Sequence, residues 1–126
     1  MSELGDRIAE RASMYAGMRT EELLGDSSEY GFDCGLTARK ILSDEGIEVE
    51  GHLRDFGIEI PEEQRGAGDF VLLYWGQTQF KYNVPGHVSI LKDPNQMIGA
   101  DRGVVKLKDY KASTENCYKR IRRIVQ

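Results

Sequence analysis

Hydrophobic positions recur every three to four residues in the first part of this chain and run in continuous or alternating blocks in the second. Near the start, Leu4, Ile8, Ala12 and Tyr15 fall on one side of a helix. The spacing therefore predicts a helix over 3–16, stopped by Gly17. A loop follows, with a short helical turn around Glu21 to Leu24. Leu36, Ala38, Ile41 and Leu42 make a second, rougher apolar face. It predicts a helix that opens at Asp33 and Cys34 and is capped by Gly46. Residues 47–67 predict irregular chain with one short helix near Leu53, and "IPEEQRGAG" (60–68) reads as a turn-rich connector.

From residue 69 the pattern changes. "DFVLLYW" (69–75) reads as a strand, "GQTQFKYNVPG" (76–86) as a loop, and "HVSILK" (87–92) as a second strand. "DPNQ" reads as a turn, "MIGA" (97–100) and "VVKLK" (104–108) as strands, and "CYKRIRRIV" (117–125) as a closing strand. Helices come first and an antiparallel meander follows. No strand alternates with a crossover helix, so the fold class is α+β.

Bulk properties narrow the function classes. A length of 126 residues suits one domain over 1–126. The net charge of −4 gives no broad basic surface for nucleic acid. The basic cluster in "YKRIRRIV" reads as a solvated strand or rim. Two cysteines, Cys34 and Cys117, are too few for a disulfide framework. Together with His52 and His87 they lack the close paired spacing of a zinc site, so neither metal nor cofactor is expected. The N-terminal stretch lacks the basic start and apolar run of a secretory signal, and no segment has the apolar length of a membrane span. The expectation is a protein cytoplasmic as synthesised, with phage delivery, non-classical export or excision from a longer chain left open.

Two residues carry candidate chemistry. Cys34 at a helix start faces the positive end of the helix dipole and unpaired backbone N–H groups, both of which favour the nucleophilic thiolate. Those N–H groups can also hold the oxyanion of an acyl-transfer intermediate. The plain alternative is a small buried hydrophobe. His87 opens a strand in which His87, Ser89 and Leu91 share one face while Val88 and Ile90 share the other. With Val88 and Ile90 in the core, His87 faces a cleft or solvent, where an imidazole can serve as base. His52 is the weaker candidate. A third group usually orients such a base. Asp101 comes near His87 if the two strands pair through "DPNQ", whereas Asn95 and Gln96 sit at the far end. Asp101 could equally do no more than start the "DRG" turn. Trp75, Phe80 and Tyr82 flank the approach to His87 and either wall a substrate groove or, for Trp75 and Phe80, belong to the core.

These motifs resemble those of the NlpC-type cysteine peptidases, papain-like enzymes that cleave bacterial cell-wall peptides. The resemblance rests on "FDCGL" at 32–36, "GAGDFVLLYW" at 66–75, "PGHVSIL" at 85–91 and "QMIGADRGVV" at 96–105, in the family's order. It implies N-terminal helices packed on an antiparallel sheet or half-barrel, with Cys34 as nucleophile and His87 as general base. It places Asp33 and Gly35 beside the nucleophile and Asp69 as a structural residue at the start of the central strand. Tyr15, with Tyr30 as its rival, resembles the tyrosine that lines the site. The implied substrate is peptidoglycan stem peptide or its fragments, at a bond between D-glutamate and a diamino acid. An immunity or phage-tail protein is a further candidate partner, with no nucleic acid and no membrane. Two departures stand out. Gly35-Leu36 replaces the family's Ser-Gly after the cysteine, and the family's third polar residue falls on Gly99, leaving Asp101, two residues on, to serve. A module of the same fold with weakened or lost catalysis, or an amidase or acyltransferase on a non-wall substrate, is the alternative.

Overall fold

The protein is described by a computed structural model covering residues 3–25 and 33–125. Helix α1, Glu3–Tyr15, buries Ile8, Ala9 and Ala12 on one stripe, as the spacing predicts. The short α2, Thr20–Leu24, and the longer α3, Asp33–Asp44, follow. Helix α3 buries Thr37, Ala38, Ile41 and Leu42, and Gly46 leaves it with φ 80°, a left-handed conformation that glycine adopts without steric cost.

Six strands form one antiparallel sheet: β1 Ile58–Ile60, β2 Phe70–Tyr74, β3 His87–Asp93, β4 Gln96–Asp101, β5 Val104–Asp109 and β6 Tyr118–Arg123. Their order is β1-β6-β2-β3-β4-β5. The meander thus holds for β2 to β5, but the closing strand does not continue it. Instead β6 crosses back to pair with β2 on one side and β1 on the other, with Val71 opposite Ile121 and Ile60 opposite Ile121. Strand β1 and the short helix α4, Gln77–Lys81, form where irregular chain is expected, a 3-10 turn at Glu62–Gln64 lies in the turn-rich connector, and the short helix α5, Tyr110–Thr114, lies in a stretch given no expectation.

All five β2 residues are buried, so this strand is covered on both faces. Phe70, Leu72 and Tyr74 join Val88, Ile90, Ile98 and Val105 against Ile8, Ala12, Ile41 and Leu42 of the helices. On the other face Val71 and Leu73 join Leu91, Met97, Tyr110 and Ile121. Truncating a side chain as buried as Ile41 to alanine costs about 3 kcal/mol. No helix among the described residues is long and apolar enough to cross a membrane.

The basic residues of β6 are engaged internally. Arg122 donates to the carbonyls of Phe56 and Gly57 at 2.8 and 2.9 Å, and Arg123 clasps Asp69. This is structural use of the C-terminal basic cluster.

Candidate functional site

Cys34 is the second residue of α3, so its backbone N–H is among the first four of the helix, which have no partner within it. Its side chain is half-buried and packs at the edge of the helix-side core. His87 is the first residue of β3, opposite Leu73 of β2. Both line one cavity of about 400 Å³, with Gly35, Leu53, Leu72, Val84, Gly86 and Val88 supplying much of the remaining wall. Arg39, His52 and Arg54 complete it. Arg39 is fixed by donating to the carbonyls of Val49 and Gly51, and Arg54 donates to the carbonyl of Asn83 at 3.2 Å.

The imidazole of His87 has a defined partner. Its Nε2 lies 3.0 Å from Oγ of Ser89, which is 3% exposed. Among the described residues no hydrogen bond joins the ring to Cys34. Burial pushes the His87 pKa down, the Lys108 ammonium adds to the effect, and Asp101 partly opposes it. The ring is therefore neutral near pH 7, the form in which an imidazole acts as a base.

At the level of sequence, no family model and no curated protein matches the chain. Solved structures do. The chain superposes on NlpC2 from Trichomonas vaginalis with a TM-score of 0.74 at 19% identity, over 98% of this chain and 48% of that one. It superposes on the NlpC/p60 domain of the peptidoglycan hydrolase SagA with a TM-score of 0.67 at 26% identity, over 94% and 98%. A third match is RipD from Mycobacterium tuberculosis, described as a non-catalytic NlpC/p60 domain protein adapted to peptidoglycan binding. There the TM-score is 0.69 at 14% identity, over 99% and 100%. The fold is that of the NlpC/P60 domains. The chain spans about half the length of NlpC2 and nearly all of the other two.

Within this NlpC/P60 fold the remaining candidate residues take up different places. Gly35 lines the cavity beside Cys34. Asp33 turns towards α2, where it accepts a 3.1 Å hydrogen bond from Thr20. Tyr15 is not brought to the cavity. Its hydroxyl donates to Asp44, ten residues beyond Cys34 along α3 and so about 15 Å further along the axis. Tyr30 lies outside the described residues. Asp101 is in the expected strand and its field reaches His87, but its carboxylate pairs with Lys108 and Lys106. Trp75 and Tyr82 are 56% and 66% exposed, while Phe80 is half-buried between Tyr74 and Tyr118. The indole of Trp75 lies directly against Gly86, where a Cβ would collide with it. Trp75 is thus outside the core and next to a wall residue, but neither it nor Tyr82 lines the cavity.

Ser89 is the site residue that the sequence reading did not single out. Its signal was present in the strand alternation, which already put it on the face of His87. Its other distinguishing feature needs the fold. The β3–β4 register pairs Ile90 with Ile98 and Leu91 with Met97, and one step on it sets Ser89 against Gly99.

Proposed function

We propose that this protein is a cysteine peptidase or amidase acting on carboxylate-bearing peptides, with peptidoglycan stem peptides as the substrate class. The observation that carries this reading is the shared cavity, in which a cysteine on the first turn of a helix and a half-buried histidine on a strand line one wall system. The thiol proton of Cys34 passes to Nδ1 of His87, and the thiolate attacks the scissile carbonyl carbon. Backbone N–H groups at the start of α3 hold the oxyanion. As the C–N bond breaks, the imidazolium returns its proton to the leaving amine, and water then hydrolyses the thioester with His87 again as base. Arg39 and Arg54 in the wall give it a positive character that suits the carboxylates of such a peptide.

A binding module is the second reading, and one observation favours it: the side chain bonded to His87 is a neutral hydroxyl, a weaker support for an imidazolium than a carboxylate. Digestion of purified peptidoglycan and soluble stem peptides by the wild type and by Cys34→Ala, read by mass spectrometry, separates the two. New fragments from the wild type alone support the hydrolase. Retention on insoluble peptidoglycan with no fragments from either protein supports the binding module.

A further inference from the structure

The strand opposite His87 presents a gap filled from an unexpected side. Gly99 on β4 is buried, and a Cβ built there would lie 2.5 Å from Ser89 Oγ and 3.1 Å from the Val88 carbonyl oxygen. The space a side chain at position 99 would occupy is therefore already taken by the Ser89 hydroxyl. That same hydroxyl lies 3.0 Å from Nε2 of His87. Ser89 is 3% exposed, so water does not compete freely for this contact. Asp101, the charged group at this end of the sheet, is held by Lys106 and Lys108.

We infer that Ser89 is the positioning residue for His87: its Oγ accepts the Nε2–H and thereby fixes the tautomer that leaves Nδ1 free to take the Cys34 proton. Gly99 is the complementary half of the arrangement, since any larger residue there displaces the hydroxyl. The pair is a serine within β3 and a glycine across from it on β4, which relocates the orienting group from the neighbouring strand to the histidine's own strand. This inference rests on the proposed cysteine–histidine chemistry for its catalytic meaning. Its structural content, the tautomer of His87, is independent of that chemistry.

The test combines nitrogen NMR of the imidazoles with Cys34 alkylation by iodoacetamide at pH 7 and peptide hydrolysis. It uses wild type, Ser89→Ala, Gly99→Ala and the exchange variant S89G/G99N. His87→Gln assigns the spectrum, because the chain has only two histidines. The wild type is expected to show His87 with Nε2 protonated and Nδ1 bare. Ser89→Ala should mix the tautomers and slow alkylation about tenfold, the scale of losing one neutral hydrogen bond that orients a base. Gly99→Ala should act in the same direction with Ser89 still present. S89G/G99N, which returns an acceptor to the vacated space, should recover part of the loss. Circular dichroism and thermal unfolding check that each variant folds, and if Ser89→Ala does not, the wild-type tautomer and the exchange variant still decide. An Nδ1–H tautomer in the wild type, or an unchanged tautomer and alkylation rate in folded Ser89→Ala, overturns the inference. A tautomer that shifts as expected in a protein that never hydrolyses substrate upholds the positioning role and removes the hydrolase reading instead.

Discussion

The two ends of the β2–β3 pair treat their polar groups in opposite ways. At one end Asp69, just before β2, is 2% exposed and receives Arg123 through two bonds, Nε at 2.9 Å and Nη2 at 2.8 Å. The Gly66 N–H adds a third at 2.8 Å. The Asp69 charge has its counter-charge in Arg123, and the pair anchors β6 to β2. At the other end His87 is half-buried with a neutral hydroxyl for a partner, beside a cavity that admits solvent to Cys34. A satisfied ion pair resists change, because either protonation state but one is costly. A desolvated imidazole with no carboxylate bonded to it is biased towards its neutral form. The resemblance-based role of Asp69 as a structural residue fits the first description.

The largest effect that would sharpen this contrast is on activity. Cys34→Ala is expected to reduce hydrolysis on the order of 10⁴-fold or more while leaving thermal stability within about 1 kcal/mol. Equal fragment yields from the two proteins would end the assignment of Cys34 as nucleophile.

Next comes Asp69→Asn, expected to cost about 3 kcal/mol in denaturant unfolding, somewhat less than a wholly buried pair because Arg123 is 35% exposed. Cys34 alkylation in the folded variant should be nearly unchanged. A large drop in alkylation with little loss of stability would show that the two ends are coupled and break the comparison.

A third expectation concerns pH. The His87 pKa is lowered by burial and by Lys108, so the folded protein holds the neutral ring below the free-imidazole value of about 6.5. The acid limb of kcat/KM should therefore lie below pH 6.5. Lys108→Met, which removes a lowering influence, should move it upward. Between the folded and unfolded pKa values the unfolded chain binds more protons, so this group's stability contribution is complete above about 6.5 and is lost as pH falls. A profile whose acid limb moves down in Lys108→Met would reverse the assigned sign.

The smallest effect is expected from Trp75→Ala. The side chain is exposed and lies against Gly86 of the cavity wall, so stability should change by about 0.5 kcal/mol or less, while KM for peptide rises a few-fold with kcat retained. Unaltered KM would confine the substrate to the deeper wall formed by Arg39 and Arg54.

The elements that were legible in the sequence are those with enough residues to show a period. Leu4, Ile8, Ala12 and Tyr15 reveal α1, and the apolar block at 70–74 reveals a strand covered on both faces. Strand β1 was hidden because it has three residues, of which only Ile60 is buried. Helix α4 is polar and five residues long, too short to show a face. Helix α5 carried a readable signal, since the Asp109 carboxylate caps it by accepting from the Ala112 N–H at 2.8 Å. The site was legible to the extent that chemistry and alternation name Cys34 and His87. The partner of His87 was not, because the choice between Asp101 and Ser89 depends on which lysines reach Asp101 and on the space above a glycine. The path of Tyr15 depends likewise on the packing of α1 along α3, which no local pattern encodes.

The crossing of β6 has a consequence for how the domain comes into being. Strands β2 to β5 join neighbours in sequence, so the half of the sheet that carries His87, Ser89 and Gly99 can assemble as its residues leave the ribosome. Strand β1 waits: Ile58 pairs with Arg123, and among the described residues β6 is the strand that β1 pairs with. The order of synthesis therefore brings β2 to β5 together early and leaves the slow, long-range closure by β6, with the Asp69–Arg123 clasp, until last.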